Sequence, residues 1–335
     1  MNTEELLNKK ILMFGPSFFG YCDIIAEELR ALGAQVDLYD ERPNNGAFCK
    51  IMLRYDVKLY RSAVKKYYLS VIEQNRDKEY DYIFVIKSEA INEDIFGCLK
   101  TAFPKAKCIL YLWDSVENVP GGKEKIRLYD RVLTFDDVDA KEYNLIFRPL
   151  FYRKEYEASC EKKTEYTYMV AFIGTAHTVR PRVVNQLEAQ CEKIGGKCFK
   201  YLFLPHPIVF LYNKLLNRAY RNVKKSDINF KSISPAEINK VYSDSLCILD
   251  VEHQAQRGLT MRTIEMIGMQ KKLITTNKGI GKYDFYNEDN ICIIDKDEPV
   301  VPHEFWKSEY KPLESDILKN YSLRAFVQDI FDIKR

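Results

Sequence analysis

Short apolar runs alternate with stretches of helical spacing along this 335-residue chain, and the alternation starts afresh once, near its middle. In the first half the runs are Ile11 to Phe14, Gln35 to Tyr39, Tyr82 to Ile86, Cys108 to Leu112 and Val132 to Phe135, with an edge strand expected around Ile146. Helical spacing fills the intervals at Cys22 to Leu32, Asp56 to Gln74, Ile91 to Ala102, Lys123 to Tyr129 and Asp137 to Tyr143. Arg148-Pro149-Leu150 and the charged stretch Arg153 to Glu165 then break the pattern. It resumes with runs at Met169 to Ile173, Cys198 to Phe203, Leu246 to Val251, Lys272 to Thr276 and Ile291 to Ile294. Helices are expected at Arg182 to Ile194, Ile208 to Asn222, Pro235 to Tyr242 and Tyr321 to Ile333. Such alternation gives a mostly parallel sheet with helices on both faces. The length suits two cores rather than one. The expectation is an α/β protein of two Rossmann-like, doubly wound domains, residues 1–150 and 151–320, with a C-terminal helix at 321–335.

Composition narrows the function classes. Hydrophobic residues make up 46% of the chain, enough for globular cores. The net charge of +3 demands no polyelectrolyte, so nucleic acid is not the expected partner. Nine cysteines occur without a CxxC pair, and Cys22, Cys98, Cys108, Cys247 and Cys292 fall in apolar patterns, as core residues of a reducing cytosol do. No run reaches the length of a transmembrane helix, and the N-terminal residues lack a basic, apolar leader. A cytoplasmic protein is expected.

The densest signal lies between Gln254 and Asp284. A buried strand, Leu246 to Val251, leads into Gly258, a helix opened by Thr260, and the second strand Lys272 to Thr276. A glycine turn at a helix N-terminus presents free backbone N–H groups, which suit a phosphate. Arg257 and Arg262 flank the turn and can add charge to a pyrophosphate contact. Glu265 lies less than two turns into the helix, within reach of a ribose hydroxyl; otherwise it is an exposed helix residue. Together the pieces describe a pocket for a nucleoside diphosphate.

This segment resembles the donor-binding segment of GT-B glycosyltransferases, most closely the branch of CgeB-like proteins. The residues that carry the resemblance are Gly258, Glu265 and Thr275-Thr276-Asn277, and the close match covers residues 235–295. The resemblance implies two domains facing a cleft, with the donor on the second and the acceptor on the first. It also implies a last helix that returns to the first domain, and a nucleotide-sugar co-substrate with no cofactor. Ligands of open α/β sheets bind at the carboxyl ends of the strands, so the loops after strands hold the candidates.

On the acceptor side, Asp114 follows a buried strand and is the candidate general base, with Glu117 second and Glu89 third. Asp114 is otherwise a helix cap or bonds a neighbouring amide. Trp113 either stacks on a sugar or fills the domain face. The turn holding Gly15 and Ser17 lacks both GxGxxG and the Walker lysine, which argues against a dinucleotide or ATP there. In the GT-B arrangement that turn approaches the acceptor. Gly174 opens the second domain and permits close approach. Arg180 at a helix start could meet a phosphate, and the resemblance implies that it stabilises the leaving diphosphate without metal. His177 is either a helix cap or a leaving-group contact, and His253 is expected on the donor side. Asp137-Val138-Asp139 and Asp295-Lys296-Asp297 are poorly placed for a metal, and no Cys/His cluster appears.

Two stretches, Arg54 to Tyr68 and Phe203 to Lys225, join basic and apolar residues. Each is either an amphipathic helix with a solvated basic face or a peripheral membrane contact. The resulting expectation is a metal-independent glycosyltransferase for bacterial surface polysaccharide, acting on a glycan or lipid-linked acceptor, and at the inner face of the cell membrane if a basic stretch makes the peripheral contact. A nucleotide-sugar epimerase and a non-catalytic nucleotide-binding scaffold are the alternatives.

Overall fold

The computed structural model describes residues 6–17, 20–44, 58–157, 165–177, 179–217, 220–252 and 258–333. The chain forms two compact units, Met1–Leu150 together with Leu323–Arg335, and Phe151–Ser322. Each is built on a six-stranded sheet in which every pairing is parallel.

Unit 1 contains β1 (Lys10–Gly15), β2 (Gln35–Asp40), β3 (Tyr82–Ile86), β4 (Lys107–Leu112), β5 (Arg131–Thr134) and β6 (Ile146–Phe147), in the order β2-β1-β3-β4-β5-β6. The central strands are covered on both faces by helices, so their residues read as unbroken apolar runs. Ile11, Leu12, Met13 and Phe14 of β1 are all fully buried, whereas edge strand β2 is only partly so. The helix Leu323–Phe331 belongs to this unit. It stacks Phe326 edge-on against Tyr111 (centroids 4.8 Å apart) and pairs Asp329 with Arg148 at 2.8 Å. Arg131 adds hydrogen bonds to the carbonyls of Asp329 and Ile330.

Unit 2 contains β7 (Tyr168–Thr175), β8 (Cys198–Phe203), β9 (Ile228–Asn229), β10 (Ser245–Asp250), β11 (Lys272–Thr275) and β12 (Ile291–Ile293), in the order β12-β11-β10-β7-β8-β9. Local chemistry starts its helices where side chains can cap them. Ser234 and Glu237 form a reciprocal capping box, and the Thr260 hydroxyl accepts from the Thr263 amide.

One expected helix is corrected. Ile208 to Asn222 does not form a single helix: the helix runs Pro207–Leu216. Asn217 then takes extended backbone, and the Lys214 ammonium donates to the carbonyls of Tyr220, Arg221 and Val223. That collar of carbonyls holds a loop where the apolar spacing alone would continue a helix. Strand β9 and the helices His303–Lys307 and Ser315–Asn320 are additions to the expected elements.

Candidate functional site

In an open parallel sheet, a ligand crevice forms where successive connections leave the first strand in opposite directions. In unit 2 that switch lies between β7 and β10. The chain steps from β7 outward to β8 and β9, then returns to place β10 on the other side of β7. Asp250, at the end of β10, is buried (1% exposed). Its Oδ2 accepts from the Thr260 and Thr263 hydroxyls at 2.7 and 2.9 Å, and its Oδ1 accepts from Arg262 at 3.1 Å. Arg262 also donates to the Tyr242 hydroxyl and the Ile173 carbonyl, with its guanidinium over the Phe172 ring. The expected pyrophosphate contact of Arg262 thus meets a guanidinium already bonded on three sides. Burial alone would lower its pKa, but Tyr242 and Asp250 outweigh burial and hold it protonated.

Arg180 differs. It opens the helix Arg180–Lys193 beside the same crevice, and among the described residues its donors reach neutral acceptors: the Val251 carbonyl at 2.8 Å and the Thr175 hydroxyl at 2.9 Å. Burial and the neighbouring Arg262 pull its guanidinium down to about 10, against partial compensation from Asp250. Asp250 bonds Arg262 directly and reaches Arg180 only through its field, so an anion placed here would give Arg180 a counter-charge of its own. The helix N-terminus adds to this, since Val179 occupies the cap position without a side-chain cap. His177 is therefore not the cap; it is half-buried in the loop just before it. Gly174 fits closely, because a Cβ there would lie 3.1 Å from the Phe172 ring and 3.3 Å from Arg262 Nη2.

Glu265 is buried (7% exposed), not an exposed helix residue. After burial itself, its charge is the next cause that pushes the Tyr156 hydroxyl up, and it also acts on Tyr242 and Arg262. Gly258 is buried and Thr260 is the N-cap.

In unit 1 the switch lies between β1 and β3, and the loops after β2, β3 and β4 gather a set of charges. Lys87 pairs with Glu89 Oε1 at 2.7 Å and with Asp114 Oδ2 at 3.3 Å, and Arg42 pairs with the other Glu89 oxygen. Burial alone would raise the Glu89 carboxyl, but Lys87 and Arg42 outweigh it and hold it below its usual range. Beneath lie Glu41, fully buried, and Lys125, also buried. Glu41 Oε1 accepts from the Ala90 amide, while Oε2 has no hydrogen-bond partner among the described residues. Burial, then Glu89, push the Glu41 carboxyl up to about 7, and burial pulls the Lys125 ammonium down to about 8. Lys125 donates to the carbonyls of Ser88 and Glu89. These bonds hold consecutive left-handed residues, Lys87 at φ 78° and Ser88 at φ 58°. Non-glycine residues in that region cost about 1–3 kcal/mol each, and cluster at functional loops.

Asp114 is not a cap of the short helix Val116–Asn118, whose cap position is Ser115. Its Oδ1 accepts from the Ser115 amide at 3.0 Å and from the Asn118 side chain at 2.9 Å. Glu117 is exposed on that helix. Trp113 packs between Tyr21 and Tyr111, with centroids 5.6 and 6.0 Å away. Gly15 is needed for packing, since a Cβ would sit 2.4 Å from Cys22 Sγ. Ser17 is exposed and its amide donates to Asp40.

Comparison with solved structures decides the architecture. The OtsA apo structure aligns with a TM-score of 0.63 at 10% identity, over 98% of this chain and 100% of that one. HepE of Anabaena, in complex with UDP and glucose, aligns with a TM-score of 0.60 at 11% identity, over 97% of this chain and 99% of that one. An alpha-glucosyltransferase in complex with UDP and a 13-mer DNA gives 0.57 at 12% identity, over 96% and 94%. The fold is GT-B. At these identities the likeness is one of fold. No protein-family model matches the chain, and a search of curated proteins finds no match in sequence.

Two donor-side residues of this GT-B chain, His253 and Arg257, lie outside the described residues. Both Asp-x-Asp pairs are engaged elsewhere. Asp139 accepts from the Val116 amide, Asp295 from the amides of Asp297 and Glu298, and Asp297 pairs with Arg182. Sequence reasoning missed Glu41, Arg42 and Lys125. Glu41 and Arg42 directly follow β2, which was a usable signal. Nothing in the run Gly121 to Arg127 marks Lys125 as the one lysine that turns inward.

Proposed function

We propose that the chain is a glycosyltransferase that moves a sugar from a nucleotide-activated donor to a glycan or lipid-linked acceptor. The setting we propose is bacterial surface polysaccharide synthesis in the cytoplasm. The observation that carries the reading is Arg180, a half-buried cation with no carboxylate partner among the described residues, at the β7–β10 switch. Arg180 and the helix N-terminus behind it take the diphosphate and stabilise its charge as the sugar–phosphate bond breaks. Glu265 accepts a ribose hydroxyl. Arg262 holds the crevice through Asp250 and contributes charge rather than direct bonds. In unit 1, Asp114 takes the acceptor's hydroxyl proton as the new glycosidic bond forms. Lys87 orients Asp114, and the Glu89–Arg42 pair orients Lys87. With both Asp-x-Asp pairs bonded to amides and cations, arginine charge does the work a metal would do.

A nucleotide-sugar epimerase is the second reading, favoured by three carboxylates, Glu41, Glu89 and Asp114, gathered in one set of loops. Incubation of donor alone separates the two, since only an epimerase converts it without acceptor. The first test is a thermal-shift screen with UDP, GDP, CMP, ADP and dTDP. Ligand bound only to the native state raises its stability, and one diphosphate should raise the melting temperature at saturation. A flat response to all five would remove the donor-site reading.

A further inference from the structure

The helix Pro207–Leu216, carried between β8 and β9 of unit 2, has no buried residue. Ile208, Leu211, Tyr212, Leu215 and Leu216 are 68, 59, 62, 76 and 68% exposed. Their spacing, i, i+3, i+4, i+7 and i+8, puts them on one face. The other face is anchored, with Val209 and Phe210 packed on the unit 2 core. A contiguous row of five exposed large apolar side chains marks an interaction surface, where single ones would not. The charge of the segment that carries the helix has one sign. Residues 203–226 contain Lys214, Arg218, Arg221, Lys224 and Lys225 and no aspartate or glutamate. Lys214 is engaged by three backbone carbonyls, whereas Arg221, Lys224 and Lys225 are exposed in the segment that follows the helix.

We propose that this helix docks the protein onto an anionic lipid bilayer, lying in the plane of the interface with its apolar face among the acyl chains. The ten-residue helix is about 15 Å long, half of what a span requires, so it lies on the membrane rather than crossing it. Among the described residues no helix is long and apolar enough to cross. Charge favours this occupant over a second copy of the chain. A two-fold contact through the stripe would bring the same cations of both copies together, whereas acidic headgroups neutralise them. The inference is independent of the sugar-transfer reading, because it needs no substrate.

The test is co-sedimentation of the full chain with vesicles of phosphatidylcholine alone, and of phosphatidylcholine mixed with phosphatidylglycerol. The wild type should partition onto the mixed vesicles and much more weakly onto the neutral ones, with binding that falls as salt is added. Lys224→Ala/Lys225→Ala should weaken partitioning by about 25-fold, since each cation near an anionic surface contributes about a factor of five. Leu211→Asn/Leu215→Asn should abolish it. All four side chains are exposed, so melting temperatures should match the wild type and exclude misfolding. Equal binding by the wild type and both variants would overturn the proposal, as would equal binding to both vesicle types. So would a wild type that binds neither, or one that dimerises in solution through Leu211 and Leu215.

Discussion

Replacing Glu41 with glutamine should flatten a pH dependence of stability that unit 1 carries in the wild type. Glu41 is fully buried, with one carboxyl oxygen unpartnered among the described residues, and burial and Glu89 push it from 4.5 up to about 7. The unfolded chain releases this proton near 4.5, while the folded protein keeps it until about 7. Between those values the unfolded state binds fewer protons than the folded one. The contribution is therefore fully present below 4.5 and is lost as pH rises toward about 7. The difference corresponds to about 3 kcal/mol over the whole window, most of it between about pH 5 and about pH 8. Glutamine keeps the acceptor for the Ala90 amide and has no proton to release. Urea unfolding of wild type and Glu41→Gln at the two pH values measures the effect. A Trp306→Phe background leaves Trp113, in unit 1, as the sole tryptophan. The stability difference between variant and parent should move in the variant's favour by about 2–3 kcal/mol from the lower pH to the higher. Parallel pH profiles would refute the reasoning, because Glu41 would then be ionised in the fold at no cost.

Three further outcomes are expected. Arg180→Gln should weaken nucleoside diphosphate binding by about 1.5–3 kcal/mol, the scale of a charge-assisted hydrogen bond, and should barely affect the nucleoside; equal losses for both, by calorimetry, would show that Arg180 meets no phosphate. Asp114→Asn should cut turnover by about 10²–10⁴-fold with donor affinity intact; near-normal turnover would move the base elsewhere, or point to a retaining reaction, which anomeric analysis of the product would settle. Turnover should persist in EDTA, and a loss restored by Mn²⁺ or Mg²⁺ would mean that one Asp-x-Asp pair leaves its present partners.

The sheets were legible because their strands are covered on both faces, so Ile11 to Phe14 or Leu246 to Leu249 read as unbroken apolar runs. The extra length expected of the Ile208 helix was illegible for a related reason. Apolar spacing continues through Tyr220 and Val223, and what ends the helix is a lysine that reaches carbonyls up to nine residues on. Strand β9, two residues long, has no period to read. In the site, strand-end loops were legible as positions, and Arg180 and Asp114 came from them, whereas Glu265 came from its step along the helix that follows the glycine turn. Partners were not: that Asp250 claims Arg262, or that Lys125 turns in under Ser88, depends on segments brought together only by folding.

The central claim is that unit 2 holds a nucleoside diphosphate with Glu265 on the ribose. Calorimetric titration of the wild type and of Glu265→Ala, with the diphosphate that most raises the melting temperature, tests it most directly. The wild type should bind one equivalent. The variant, with an unchanged far-ultraviolet circular dichroism spectrum, should bind about 1–3 kcal/mol more weakly, the cost of losing a hydrogen bond to a charged group. Equal affinity in the two proteins, or no heat with any nucleotide, would contradict the account.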